Sequence, residues 1–291
     1  MVLIAALFFA SGCYEEPAII SIDVTPDYVE QQECDSINEH LDGFVHSIEV
    51  ASDGALLVAV GGRLIGGYGY IVRSDSNGCV TSVLNGIEWP HSARDRVING
   101  NRITLVTETG KGRILLIDAS DVVIGSISVL SDSTSMVYPN NADWLSDTSM
   151  LVTDRDTNRV IEMGLDGTIY WQYGGSDLLQ GPHSARRLPT GNTLISDSEN
   201  DRIIEVDQLG SMVWHYLGNL DWPRGVARKS NGNTVIVSSK EMKVKEVSPM
   251  NQVLWEYAFD SMPYETAFLA DGSLLSTSYE SIVHIPAQPI N

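Results

Sequence analysis

Basic residues are scarce in this chain: 18 Lys and Arg stand against 38 Asp and Glu, a formal charge of −20. A polyanion would meet net repulsion over most of such a surface, so nucleic acid is excluded as the expected partner. Cysteine is scarcer still. Three residues in 291 rule out a disulfide-dense scaffold, and none has the neighbours of a metal or catalytic Cys. No apolar run is long enough to span a bilayer as a helix. The chain also lacks a nucleophile elbow, a phosphate-cradling glycine loop and a paired-His helical zinc motif, which removes support for the familiar hydrolase and nucleotide-binding chemistries. No long helical period competes with a β reading.

What is present is a folded, turn-rich composition, 43% hydrophobic and 19% charged with 25 Gly, on a chain long enough for one large all-β domain or two small ones. Residues 1–13 form a short apolar run ending Ala10-Ser11-Gly12-Cys13. This resembles the end of a bacterial lipoprotein signal, which implies lipidation at Cys13, export to the periplasm or cell surface, and membrane attachment through the lipid alone. The departure is the absence of any Lys or Arg before Arg63; the other reading of the run is a buried apolar strand. With Cys13 set aside, Cys34 and Cys79 are read either as a disulfide of an exported protein or as two buried thiols.

Internal repetition decides the fold. The clearest copy runs from Pro182-His183-Ser-Ala-Arg-Arg-Leu-Pro-Thr-Gly-Asn-Thr-Leu-Ile-Ser-Asp197 through Asp201-Arg-Ile-Ile-Glu-Val-Asp207 to Met212-Val-Trp-His-Tyr216, four short strands separated by turns. Equivalent starts fall at Val45-His46, Pro90-His91, Pro139-Asn140, Pro182-His183, Pro223-Arg224 and Pro263-Tyr264, spaced by 45, 49, 43, 41 and 40 residues. That period is a four-stranded propeller blade, and Pro at the start of a strand is where a missing N–H is tolerated. The expected architecture is therefore all-β, a six-bladed β-propeller of four-stranded antiparallel blades over 44–291. An N-terminal strand at 18–24 closes the last blade, and 14–43 otherwise forms a polar connection.

Three copies carry an acid and an Arg five residues apart: Glu108 and Arg113, Asp154 and Arg159, Asp197 and Arg202. These are expected to face each other across a hairpin as surface ion pairs of small individual worth, with a calcium role as the other reading. Trp171, Trp214 and Trp255 recur in fourth strands and are expected to pack between blades.

The first strand of each blade lines a propeller's channel, so the marker residues His46, His91, Asn140, His183, Arg224 and Tyr264 should converge at one mouth. Three of the six histidines occupy this one position, each followed by Ser. Either the mouth is simply wet and polar, or it is a functional site in which titratable imidazoles and an Arg fork meet an oxyanion. Trp89 and Trp222, each directly before its Pro, would be aromatic walls of the rim or plain hydrophobic staples.

The phrase from His183 to Asp197, with Arg202-Ile-Ile-Glu-Val-Asp207 and Val213-Trp-His-Tyr216, is similar to the blade repeat of the arylsulfotransferase family over most of 44–287. That resemblance implies a periplasmic six-bladed propeller that moves a sulfuryl group between phenols, through a transient sulfohistidine, with no nucleotide donor or cofactor. The partners it implies are a small aromatic sulfate ester and a phenol. It further implies His183 as nucleophile, Arg224 and His91 as binders of sulfuryl oxygens and His46 as acid/base; Asn140 and Tyr264, at the same channel position, and Trp89 and Trp222, beside it, are expected to contact the substrate. Two alternatives stand beside it. His46, His91 and His183 also resemble the three-His metal set of amidating propeller lyases, with zinc as cofactor, while calcium is the alternative cofactor for the acid–Arg pairs. The loose Asp154–Val160 stretch is similar to NHL repeats, which would make the chain a binding propeller without chemistry.

Overall fold

The structure is a computed structural model that describes residues 35–51 and 54–287. Its first blade is built from β1 (Phe44–Val50), β2 (Leu56–Gly61), β3 (Tyr68–Ser74) and β4 (Val80–Glu88). The second is β5 (Pro90–Ile98), β6 (Asn101–Glu108), β7 (Arg113–Ile117) and β8 (Val123–Ile127), and the third β9 (Pro139–Trp144), β10 (Ser149–Asp154), β11 (Arg159–Gly164) and β12 (Ile169–Gly174). The fourth is β13 (Ser184–Arg187), β14 (Thr193–Asp197), β15 (Arg202–Val206) and β16 (Met212–Tyr216), and the fifth β17 (Pro223–Arg228), β18 (Thr234–Ser238), β19 (Lys243–Val247) and β20 (Val253–Ala258). The sixth holds three strands among the described residues, β21 (Pro263–Phe268), β22 (Leu274–Ser278) and β23 (Ser281–Ile285). All pairings within blades are antiparallel between consecutive strands, so the six-bladed all-β architecture expected from the repeat is the one observed.

Period-two alternation with both faces covered explains the second strands. Leu56, Val58 and Val60 pack toward Leu275 and Ile282 of the sixth blade, whereas Leu57 and Ala59 pack toward Val106 and Leu115 of the second. A strand buried on both faces reads as a continuous apolar run, as Leu56-Leu-Val-Ala-Val60 does. Each of the six cores lies between two neighbouring blades. Ring closure joins the first blade to the sixth through the Phe44–Tyr279 bridge, the Glu280 N–H to Gly43 carbonyl bond at 3.1 Å and a shared core. The strand expected at 18–24, Cys13 and Cys34 lie outside the described residues.

The connection expected to be polar up to residue 42 is not wholly so. Ile37, in a single 3-10 turn (Ile37–His40), and Leu41 are buried against the first blade. Cys79 is disulfide-bonded, and its partner is outside the described residues. Beside it Ser36 bridges Cys79, and the Val80 N–H reaches the Asp35 carbonyl at 2.8 Å.

The acid–Arg pairs do sit opposite each other across hairpins, Glu108 on Arg113, Asp154 on Arg159 and Asp197 on Arg202. They are not surface pairs. All three carboxylates are buried to 1% exposure or less, and each also accepts a backbone N–H from the chain leading into its blade. Asp154 Oδ1 takes Val137 and Tyr138, Asp197 Oδ1 takes Gln180 at 2.7 Å, and Glu108 Oε1 takes Glu88. Each carboxylate thus ties the inter-blade crossing to the hairpin beside the channel. Trp171 and Trp214 pack between blades as expected: Arg187 and Arg228, from the next blade, each lie 4.8 Å over the ring.

Candidate functional site

In five of the six blades the marker residue is turned inward by a β-bulge. In β1 the register passes from Val45 to Ser47, leaving His46 unpaired; in β9 it passes over Asn140, and in β17 over Arg224. His91 lies in a wider bulge, where Thr107 Oγ1 accepts the N–H of both His91 and Ser92, and Tyr264 lies in another. An extra residue in one strand bends the chain and re-aims its side chain, so five blades direct the marker position toward the axis by one device. His183 enters β13 directly, its N–H on the Ser196 carbonyl.

All six markers are buried and line one axial cavity. The cavity holds about 20 Å³, room for about one water. A larger groove, about 450 Å³, lies at the outer edge of the third and fourth blades near Arg159, Tyr173 and Leu209 and contains none of the markers.

Hydrogen bonds fix the three imidazoles in one tautomer. His46 Nδ1 lies 2.7 Å from the Pro90 carbonyl, which can only accept. His183 Nδ1 faces the Gly181 carbonyl at 3.0 Å and Ser198 Oγ at 2.8 Å, and that hydroxyl donates to the Pro223 carbonyl. His91 Nδ1 contacts Thr109 Oγ1 at 3.0 Å, and Thr109 donates to the Pro139 carbonyl at 2.6 Å. With hydroxyl protons spent on carbonyls, each Nδ1 must donate, and the lone pair resides on Nε2. No hydrogen bond within the described residues engages these Nε2 atoms.

Burial, with the charge of Arg224, keeps the imidazoles neutral. His46 is lowered to about 3, chiefly by desolvation and then by Arg224, with the Pro90 carbonyl opposing. His91 and His183 are lowered well below the ordinary range, first by burial; for His91 the other imidazoles and Arg224 add to this, and for His183 Arg224 and Arg155. Arg224 itself is lowered to about 10 by burial. Its guanidinium lies 4.5 Å over Tyr264 and 5.1 Å over Trp222, and among the described residues it has no ion-pair partner. Asn140 Nδ2 is likewise buried without an acceptor.

Trp89 and Trp222 both hold left-handed backbone, φ 50° and 54°. For bulky side chains that conformation carries strain, which the surroundings must offset. It places the Trp89 indole 4.9 Å from His46 and the Trp222 indole 4.8 Å from His183. Phe44 and Tyr138 occupy the same position in their blades, and Tyr138 accepts the Trp89 Nε1 proton at 3.0 Å. Gly61 leaves room for this packing: a Cβ there would lie 2.7 Å from His46 Cε1.

His46 and His91 stack with centroids 4.1 Å apart and planes 2° from parallel. A metal lies in the plane of each imidazole that ligates it, and two stacked parallel planes share no such point. In this arrangement the pair therefore does not ligate one ion, and no cluster of three or more His, Cys, Asp or Glu placed to hold a metal occurs among the described residues.

Three positions below the markers the same first strands supply Glu49, Arg94, Asp143 and Arg186, a ring alternating in sign. Glu265 Oε1 accepts both Arg94 and Arg186, and Arg186 also reaches Asp143 at 2.8 Å. Burial favours neutral forms here, yet Arg186 is held above and Asp143 below their ordinary values by their mutual attraction and by Glu265 and Arg94. Glu265 of this network also lines the cavity, so the network bounds it on the side away from the histidine rings. Neither this ring nor Tyr138, Thr109 and Ser198 was singled out by the sequence. A count at fixed offset from the markers would have found the ring.

No protein-family model and no curated protein matches the chain. Solved structures are similar in fold. A streptogramin B lyase superposes with TM-score 0.58 at 14% identity over 86% of this chain and 85% of that one. The catalytically inactive H270A virginiamycin B lyase from Staphylococcus aureus with quinupristin gives 0.61 at 14% over 82% and 79%. The WD40 propeller domain of Doa1 gives 0.64 at 13% over 85% and 80%. At these identities the likeness concerns the propeller fold alone.

Proposed function

We propose that the axial cavity is an oxyanion site at which a neutral histidine acts as nucleophile, and that the chain transfers a sulfuryl group between small phenolic compounds. The observation that carries this reading is Arg224, a buried cation with no carboxylate partner among the described residues, beside three neutral imidazoles whose lone pairs are on Nε2. A buried unpaired charge costs several kcal/mol, on the order of 3–5, and a bound anion would remove that cost. Asn140 Nδ2 adds a donor with no acceptor.

In the first half-reaction the His183 Nε2 lone pair attacks sulfur. The S–O bond to the aryl group breaks, and the phenoxide leaves with its electron pair and takes a proton from water. Arg224 and Asn140 stabilise the nonbridging oxygens as charge redistributes onto them. In the second half an acceptor phenol gives its proton to His46 Nε2 as its oxygen attacks the sulfohistidine, freeing His183; His46 returns the proton to water. The aromatic rim of Trp89, Tyr138 and Trp222 supports this reading, since the cavity itself is too small for a ring, and the aryl groups would lie between these walls. An exported, lipid-anchored placement rests on residues 1–13.

Release of 4-nitrophenol from 4-nitrophenyl sulfate, with phenol as acceptor, tests the reading. Acceptor-dependent release that disappears in His183→Ala supports it. Tight binding without release leaves a binding propeller, and release unaffected by His183→Ala overturns the assignment.

A further inference from the structure

Side chains from three blades close the mouth above the histidines. Arg155, at the tip of the β10–β11 hairpin, sends Nη2 to Glu199 Oε1 on the β14–β15 hairpin at 3.1 Å. The same Oε1 accepts the Trp222 Nε1 proton at 3.0 Å, and Trp222 covers His183. Gly181 carries no side chain where Glu199 crosses it, and a Cβ there would come 2.6 Å from Glu199 Cγ. The crossing is thus built into the backbone of the residue that also anchors His183 Nδ1.

Arg155 is only partly used by these contacts. Nη1 is held by Asp156 at 2.7 Å, the guanidinium lies 5.5 Å over Tyr138, and Nε is buried with no acceptor. Arg155 does not line the cavity itself but sits at its edge: Tyr138, under its guanidinium, has its ring 5.5 Å from His91, and through Glu199 it reaches the Trp222 that covers His183. Glu199 is 42% exposed, and release of its carboxylate to water costs little, as for other exposed ion pairs. A purely structural tie between blades needs neither the unspent Nε donor nor a shared indole bond at the mouth.

We propose that Arg155 is a second cation of the oxyanion site and that Glu199 is its displaceable cover. An entering sulfate group replaces the Glu199 carboxylate on Arg155, Trp222 Nε1 loses its acceptor, and the mouth opens between the third, fourth and fifth blades. This rests on the anion-binding reading above.

Calorimetric titration with 4-nitrophenyl sulfate and with inorganic sulfate tests it on the wild type, Glu199→Gln, Arg155→Gln and the double variant. Removing the competing carboxylate should tighten binding about tenfold, and removing the cation should weaken it about tenfold. In the Arg155→Gln background Glu199→Gln should give no gain, because the cover has nothing left to uncover. Sulfate should also shift tryptophan emission in the wild type but not in Trp222→Phe. If the wild type binds but Glu199→Gln leaves affinity unchanged or weaker, the cover is overturned while the anion site stands. If the wild type binds neither compound, both fall. Urea unfolding of each variant separates lost binding from lost folding, and Glu199→Ala serves as the second cover-removing variant.

Discussion

The imidazoles of His46 and His91 lie face to face, 4.1 Å between centroids and 2° from parallel, each anchored through Nδ1 to the chain that starts the adjoining blade. Two imidazolium ions at that separation, beside the buried Arg224, would repel strongly in a medium of low dielectric. The stack therefore does not hold both rings charged at once, and its resting state is neutral. A neutral ring is also what a nucleophile or proton acceptor must be, so packing and chemistry make the same demand.

That demand sets a pH dependence. His46 titrates near 3 in the folded state against 6.5 ordinarily, so the unfolded chain takes up its proton first. Stability from this group is complete above about pH 6.5 and is lost toward pH 3 at about 1.4 kcal/mol per unit. Between pH 7 and 4 urea unfolding should show His46→Gln losing less stability than the wild type, by about 3 kcal/mol. Parallel losses would contradict neutral burial of His46.

Catalysis should share this insensitivity. With the three imidazoles already neutral, kcat/KM for 4-nitrophenyl sulfate should show no acid limb between pH 5 and 8. A limb near the ordinary histidine value would mean that the nucleophile or base titrates in water-like surroundings.

Arg224 should trade stability for binding. Replacing an unpaired buried cation by an apolar side chain of similar length removes a desolvation cost, so Arg224→Met should raise stability by about 1–3 kcal/mol while weakening aryl sulfate binding at least tenfold. Urea midpoints and calorimetry read the two effects separately. Destabilisation by Arg224→Met would show that its aromatic stacking outweighs its charge.

The buried hairpin acids make a contrasting case. Asp197 accepts Gln180 N–H, Arg202 and Asn200 at 0% exposure, and Asp197→Ala should cost about 3 kcal/mol or more. Breaking the exposed Arg96–Asp147 pair with Asp147→Ala should cost less than about 1 kcal/mol. Equal losses in urea unfolding would contradict the role assigned to the backbone bonds.

The blade repeat was legible because five of the six marker residues directly follow a Pro and all six recur at a nearly constant spacing, and the same regularity placed His46, His91, His183 and Arg224 around one axis. Less legible were groups whose role depends on depth rather than sequence. Glu108, Asp154 and Asp197 have the spacing of exposed pairs, and only the converging backbone N–H groups reveal that they are buried. Arg155 and Glu199 lie in different repeats at hairpin tips, where nothing in their spacing signals a meeting across the mouth. The stacking of His46 on His91 depends on ring orientation, which a pattern of residue types does not carry.

The most direct measurement is a rapid-mixing experiment in which the purified protein meets excess 4-nitrophenyl sulfate without acceptor. A burst of about one equivalent of 4-nitrophenol, with one sulfuryl group found by mass spectrometry on the peptide carrying His183 and neither seen in His183→Ala, is the expected result. Absence of both burst and adduct in a wild-type protein that binds the ester would contradict sulfuryl transfer through this histidine.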